Sequence, residues 1–86
     1  MPLTYIIFSE KLNKYYTGAC IDLTRRMKEH NLGHSKYTST GQPWTLVYSE
    51  TFESLLLAKR RESAIKRMKS RKYIQNLIVE GGASRS

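Results

Sequence analysis

Two β-type runs lying close together at the start of the chain limit most strongly how it can fold. Residues 4–9 and 15–21 are rich in β-branched and aromatic side chains, and only the polar stretch 10–14, with an asparagine in it, separates them. That pattern predicts a β-hairpin. A helix follows: Asp22 is its expected N-cap, it runs through about Leu32, and Gly33 stops it. Leu23 and Met27, one turn apart, mark its inward side. Residues 34–43 contain Gly41 and Pro43 among many serines and threonines and read as a loop. Residues 44–52 return to strand composition, with Leu46 and Tyr48 expected on one face and Val47 on the other. Two helical stretches complete the chain. Residues 54–68 carry a stripe of Leu55, Ala58, Ile65 and Met68, residues 71–79 carry Ile74, Leu77 and Ile78, and Ser70 caps the second. The order β-β-α-β-α-α predicts an α+β fold, a small three-stranded sheet flanked by helices. It is expected as a single domain over residues 1–80, with the small, polar residues 81–86 as a flexible tail.

A chain of 86 residues builds only a modest core, so a shallow surface cleft is the expected place for any site. Charge narrows the partners. Fifteen Lys and Arg against seven Asp and Glu give a net charge of +8, which points to a polyanion. The bland alternative is a basic surface with no partner. Membrane binding is disfavoured, because no amphipathic segment carries a large aromatic and leucine face. Cys20 is the single cysteine, so an internal disulfide and a cysteine-rich zinc site are both excluded. With no apolar run long enough for a signal peptide or a span, a cytoplasmic location is expected.

The acids are Glu10, Asp22, Glu29, Glu50, Glu53, Glu62 and Glu80, and none forms the DxD or ExD pair on which two-metal phosphoryl transfer usually draws. HxH, HExxH, GxSxG and Gly-rich phosphate loops are missing too. An enzyme of this sequence uses one metal at most. Tyr5 and Tyr16 lie in adjacent strands and can be neighbours on one face, as ordinary strand aromatics also would. Gly18, inside a strand, marks a close approach of backbone or ligand. Arg26 and His30 rise from one helix face, two positive groups that suit an anion between them. Glu62 is the lone carboxylate among eight basic residues between positions 59 and 72. Its wheel position, near the edge of the apolar arc that also holds Arg61, leaves two roles open: an i,i+4 ion pair with Lys66, or a hard oxygen ligand for a metal.

Together these residues resemble the GIY-YIG nuclease superfamily, in particular its small stand-alone bacterial branch, similar to the nuclease domain of structure-specific endonucleases. Leu3-Thr4-Tyr5 and Tyr16-Thr17-Gly18 match the two tripeptides that open the family, with Leu3 in place of the first glycine. Arg26 and His30 match the following helix, and Glu62 in Ala58-Lys59-Arg60-Arg61-Glu62 matches the family's metal-binding glutamate. The branch also shows the Tyr37-Thr38, Pro43-Trp44 and Lys69-Ser70-Arg71 neighbourhoods, so the likeness extends over about residues 4–78. For the late asparagine of some members, Asn76 is the candidate.

The resemblance implies an endonuclease that hydrolyses phosphodiester bonds in DNA, branched or damaged DNA included, with RNA not distinguished. Glu62 would hold a single Mg²⁺, with Mn²⁺ as substitute, and Arg26 would stabilise charge on the phosphoryl oxygens. Tyr5 or Tyr16 would position or deprotonate the attacking water, and His30 would relay a proton or touch phosphate. Positive charge from Arg26 or the metal is expected to lower the phenol's pKa from its ordinary value of about 10. Lys59, Arg60, Lys66, Arg67, Lys69, Arg71 and Lys72 would grip the flanking backbone without reading sequence, leaving recognition to shape or to a protein partner. Two other function classes stand beside this one: a catalytically silent nucleic-acid-binding module of the same fold, and a protein-interaction domain for an acidic partner. The nuclease reading requires both phenols, the guanidinium and the carboxylate to converge on one cavity.

Overall fold

A computed structural model of the chain describes residues 1–33, 36 and 38–82. Three strands, β1 (Leu3–Ser9), β2 (Lys14–Cys20) and β3 (Trp44–Thr51), form one antiparallel sheet in the order β2-β1-β3. The most apolar run takes the middle. Leu3, Tyr5, Ile6 and Ile7 of β1 are all buried, because this strand is covered on both edges and both faces. The three helices are α1 (Leu23–Asn31), α2 (Leu55–Met68) and α3 (Arg71–Leu77).

Alternation along β1 divides the core in two. Leu3, Tyr5 and Ile7 join Cys20 and Trp44 in a cluster completed by Leu12, Tyr16 and, from α1, Leu23 and Met27. On the opposite face Thr4 Oγ1 donates to the Ala58 carbonyl at 2.7 Å, which fixes α2 against the sheet with Ala58 and Ile65 buried.

Helix starts follow local chemistry. Asp22, Ser54 and Ser70 each accept, through the side chain, the backbone N–H three residues on. Gly33, at φ +78°, takes the left-handed position just past α1 and donates to the His30 carbonyl.

Three boundaries and one facing differ from expectation. The segment expected as loop contains a 3₁₀ turn, Thr38–Gly41, where Gly41 is pressed among Trp44, Leu12 and Ser9. Helix α3 gives way after Leu77 to a π-helical turn, Ile78–Gly82. There a Cβ on Gly81 would lie 2.6 Å from the Tyr48 ring, so the start of the segment expected as tail packs against β3. The remaining tail, 83–86, and Tyr37 of the Tyr37-Thr38 pair lie outside the described residues. In β3, Tyr48 pairs with Ile6 but Leu46 pairs with Ile7, so the register slips at Val47. That bulge turns Leu46 and Tyr48 to opposite faces, against the expected alternation. Tyr48 is buried and Leu46 is exposed.

Candidate active site

The site begins at a cross-strand pair. Tyr5 stands opposite Gly18, and its phenol lies over that glycine: a Cβ there would meet the Tyr5 hydroxyl at 2.5 Å. The close approach that a strand glycine signals is made here by the Tyr5 side chain, not by another backbone or a ligand. Completely buried, Tyr5 shares a hydrogen bond of 2.8 Å between its hydroxyl and His30 Nε2, and the histidine tautomer decides which group donates. His30 is 4% exposed, and its Nδ1 has no partner among the described residues. Burial, then the nearby Arg26 charge, lowers the His30 pKa, so the ring is neutral near pH 7.

Arg26 projects from α1 toward the Tyr5 phenol and is braced on its other side by Glu29, Nε to Oε1 at 3.3 Å. Glu29 also holds Arg25 at 3.3 Å. The charge on Arg26 acts in the expected direction but does not prevail. Burial raises the Tyr5 pKa above its ordinary value and outweighs the opposing pull of the guanidinium, so Tyr5 stays protonated. The expectation of a phenol made acidic by Arg26 fails at Tyr5 because desolvation is the larger effect.

Tyr16 is the more accessible phenol. Its ring packs edge-on against His30 at 5.4 Å and against Trp44 at 6.2 Å between centroids. Above it, Lys66 Nζ lies 5.7 Å from the ring centroid. The same ammonium contacts Glu62 Oε2 at 2.6 Å. Tyr5, Tyr16, Arg26 and His30 therefore form one cluster, and Glu62 reaches it through Lys66. The i,i+4 pair considered for Glu62 is formed.

Among the described residues no group of three or more His, Cys, Asp or Glu could cage a metal ion. The donors present fit an ion that takes one carboxylate and keeps water on its other positions, as Mg²⁺ does. Glu62 is the residue that would hold it, and the ammonium resting on Oε2 stands where a cation is welcome.

Two clefts lie along the outer strand β2. One is lined by Lys14, Tyr16, Lys66, Lys69 and Arg71, the other by Cys20, Asp22, Arg25, Arg26, Glu29 and Lys59. Of the expected phosphate-gripping residues, Lys59, Lys66, Lys69 and Arg71 line these clefts, Arg60 and Arg67 line another on the outer side of α2, and Lys72 is simply exposed. Arg71 is partly engaged elsewhere, donating to the Asn13 carbonyl and side chain at 2.7 Å each and stacking over Tyr15. Asn76 is exposed on α3. Arg61, within the apolar arc of α2, bonds Glu50 and Tyr73, while Tyr48 also donates to Glu50, so this network ties α2 and α3 to β3. Sequence reasoning passed over Lys14 and Glu29. Strand alternation puts Lys14 beside Tyr16, and helical spacing puts Glu29 within reach of Arg25 and Arg26.

The comparisons agree with this architecture. The GIY-YIG catalytic domain model matches residues 1–75. The chain belongs to the GIY-YIG family, whose domain is of nuclease type. More particularly, it is similar to UPF0213 proteins. That of Listeria welshimeri is 41% identical over 69 residues, 79% of this chain and 76% of the relative. One from Halobacterium salinarum is 47% identical over 55 residues, 63% of this chain and 71% of the relative. The solution NMR structure of a UPF0213 protein from Bacillus halodurans superimposes with a TM-score of 0.58 at 34% identity, covering 95% of this chain and 88% of that one. No helix among the described residues is long and apolar enough to cross a membrane.

Proposed function

We propose that this protein is a divalent-metal-dependent endonuclease that hydrolyses phosphodiester bonds in DNA, branched or damaged DNA included. The observation that carries the reading is a chain of contacts from Arg26 through the buried Tyr5–His30 pair to Tyr16 and the Lys66–Glu62 pair, although Arg26 and Tyr16 line two neighbouring clefts and not the single cavity expected. Arg26 supplies a fixed positive charge for the phosphoryl oxygens, held in place by Glu29. Tyr5, kept protonated by burial, orients and donates. Neutral His30 accepts or relays a proton through Nε2. Tyr16, on the cleft side of His30, positions the attacking water. Glu62 would hold Mg²⁺ or Mn²⁺, which when bound supplies Lewis-acid stabilisation of the developing negative charge. Lys14, Lys59, Lys66 and Lys69 give the flanking strand a salt-sensitive grip.

The test is cleavage of branched, single-stranded and duplex substrates with Mg²⁺ or Mn²⁺, against EDTA. Metal-dependent cutting that Glu62→Ala abolishes, with salt-dependent binding largely intact, is the expected result. A Glu62→Ala variant that cuts normally overturns the metal assignment. One observation favours the second reading, a silent nucleic-acid-binding module: Glu62 is already neutralised by Lys66 at 2.6 Å. Tight binding with no cutting under any metal would select that reading.

A further inference from the structure

We propose that Lys66 is an exchange cation: its ammonium occupies Glu62 until a divalent ion takes the carboxylate, and then turns to the nucleic-acid phosphate in the same cleft. The inference rests on Glu62 being the metal-holding carboxylate. At 2.6 Å from Glu62 Oε2, Lys66 Nζ makes a short charge-assisted bond. The same nitrogen stands 5.7 Å from the Tyr16 ring centroid, and its residue lines the cleft with Lys14, Lys69 and Arg71. One ammonium therefore touches the proposed metal ligand and overhangs the proposed path of the phosphate.

The pair is built to let go. The Lys66 side chain is 50% exposed and that of Glu62 22%, so the lysine can swing on its flexible stem toward the cleft, giving up the Glu62 contact and shifting over the Tyr16 ring. Exposed i,i+4 pairs are weakly held. A divalent ion carries twice the charge and outcompetes the ammonium for the carboxylate. Once displaced, the ammonium stays tethered to α2 beside a cleft that already collects positive charge. Its new partner is a phosphate oxygen, which a compact, freely rotating ammonium suits. Metal binding thereby adds a phosphate contact, and phosphate binding removes the metal's competitor. The two ligands favour each other, as reciprocal coupling requires.

Two measurements test this, each on variants first matched to wild type in thermal melting. In the first, Mn²⁺ alone is titrated and followed by electron paramagnetic resonance. Lys66→Met is expected to bind Mn²⁺ up to about tenfold more tightly than wild type, since a nearby positive charge and competitor has gone. Glu62→Gln is expected to lose that binding. In the second, a labelled DNA duplex is titrated in EDTA. Glu62→Gln is expected to raise DNA affinity by releasing Lys66, and the gain should shrink when Lys66→Met is also present.

Mn²⁺ binding by Lys66→Met no tighter than wild type overturns the exchange. So does an equal gain from Glu62→Gln in both backgrounds, which would be a general charge effect. Undiminished Mn²⁺ binding by Glu62→Gln is a different result. It removes the carboxylate from the metal site and overturns the underlying reading as well.

Discussion

The α1 side of the sheet and the side of α2 that borders the β2 cleft handle their charged and polar groups in opposite ways. On the α1 side, Tyr5 is fully buried, His30 nearly so, and Arg26 is braced by Glu29. On α2, Glu62 and Lys66 form a pair beside an open cleft, with Lys69 beyond it. Under the proposed function, the groups whose geometry must be fixed are drawn from the core, and those that would exchange partners are drawn from the surface. A small domain without room for a deep active site can in this way still preorganise half of one.

The comparison breaks most severely at Gly18. A methyl group there lands 2.5 Å from the Tyr5 hydroxyl and 2.6 Å from its ring, atoms locked in the core. Gly18→Ala should cost about 3 kcal/mol, the upper end for overpacking, read as a lower urea midpoint. A cost below about 1 kcal/mol would mean that the phenol can move and that the dry half is not rigid.

Acid should separate the two halves next. The folded-state pKa of His30 is lowered from 6.5, so at acidic pH the unfolded chain binds the extra proton more readily. The stability this burial contributes is complete above pH 6.5 and is lost as pH falls below it toward the lowered value. Melting temperatures between pH 7 and 5 should therefore fall more steeply in the wild type than in His30→Gln. Parallel curves would show that His30 is solvated after all.

The smallest effect is expected on α2. Glu62→Gln removes one rim-exposed pair and should change stability by no more than about 0.5 kcal/mol while eliminating metal-dependent cutting. A loss comparable to that at Gly18 would place Glu62 in the structural half.

What the sequence disclosed followed the range of the forces involved. Asp22, Ser70 and Gly33 act within a turn of their own positions, so the helix ends they set could be read directly. The grouping of Tyr5, Tyr16, Arg26 and His30 was legible from the family tripeptides and helical spacing. The bulge at Val47 was not, because it exists only where β3 must satisfy β1 on both sides of the sheet. Nor could the direction of the Tyr5 pKa be foreseen. Burial and Arg26 oppose each other there, and only the depth of the ring in the core decides between them. The role of Gly18 was half visible: the close approach was predicted, but Tyr5 as the approaching group depends on strand register.

Arg71 carries a last consequence. Its guanidinium buckles the first turn of α3 to the tip of the β1–β2 hairpin at Asn13, while Lys69, at φ +47°, makes the bend between α2 and α3. The cleft that holds Tyr16 and Lys66 lies between these two points, so its mouth is fastened on one side by a bond exposed to solvent. A fastening of that kind is open to competition from water and from solutes that solvate peptide groups. The aperture, unlike the buried phenol below it, is therefore a property that the surrounding medium can adjust.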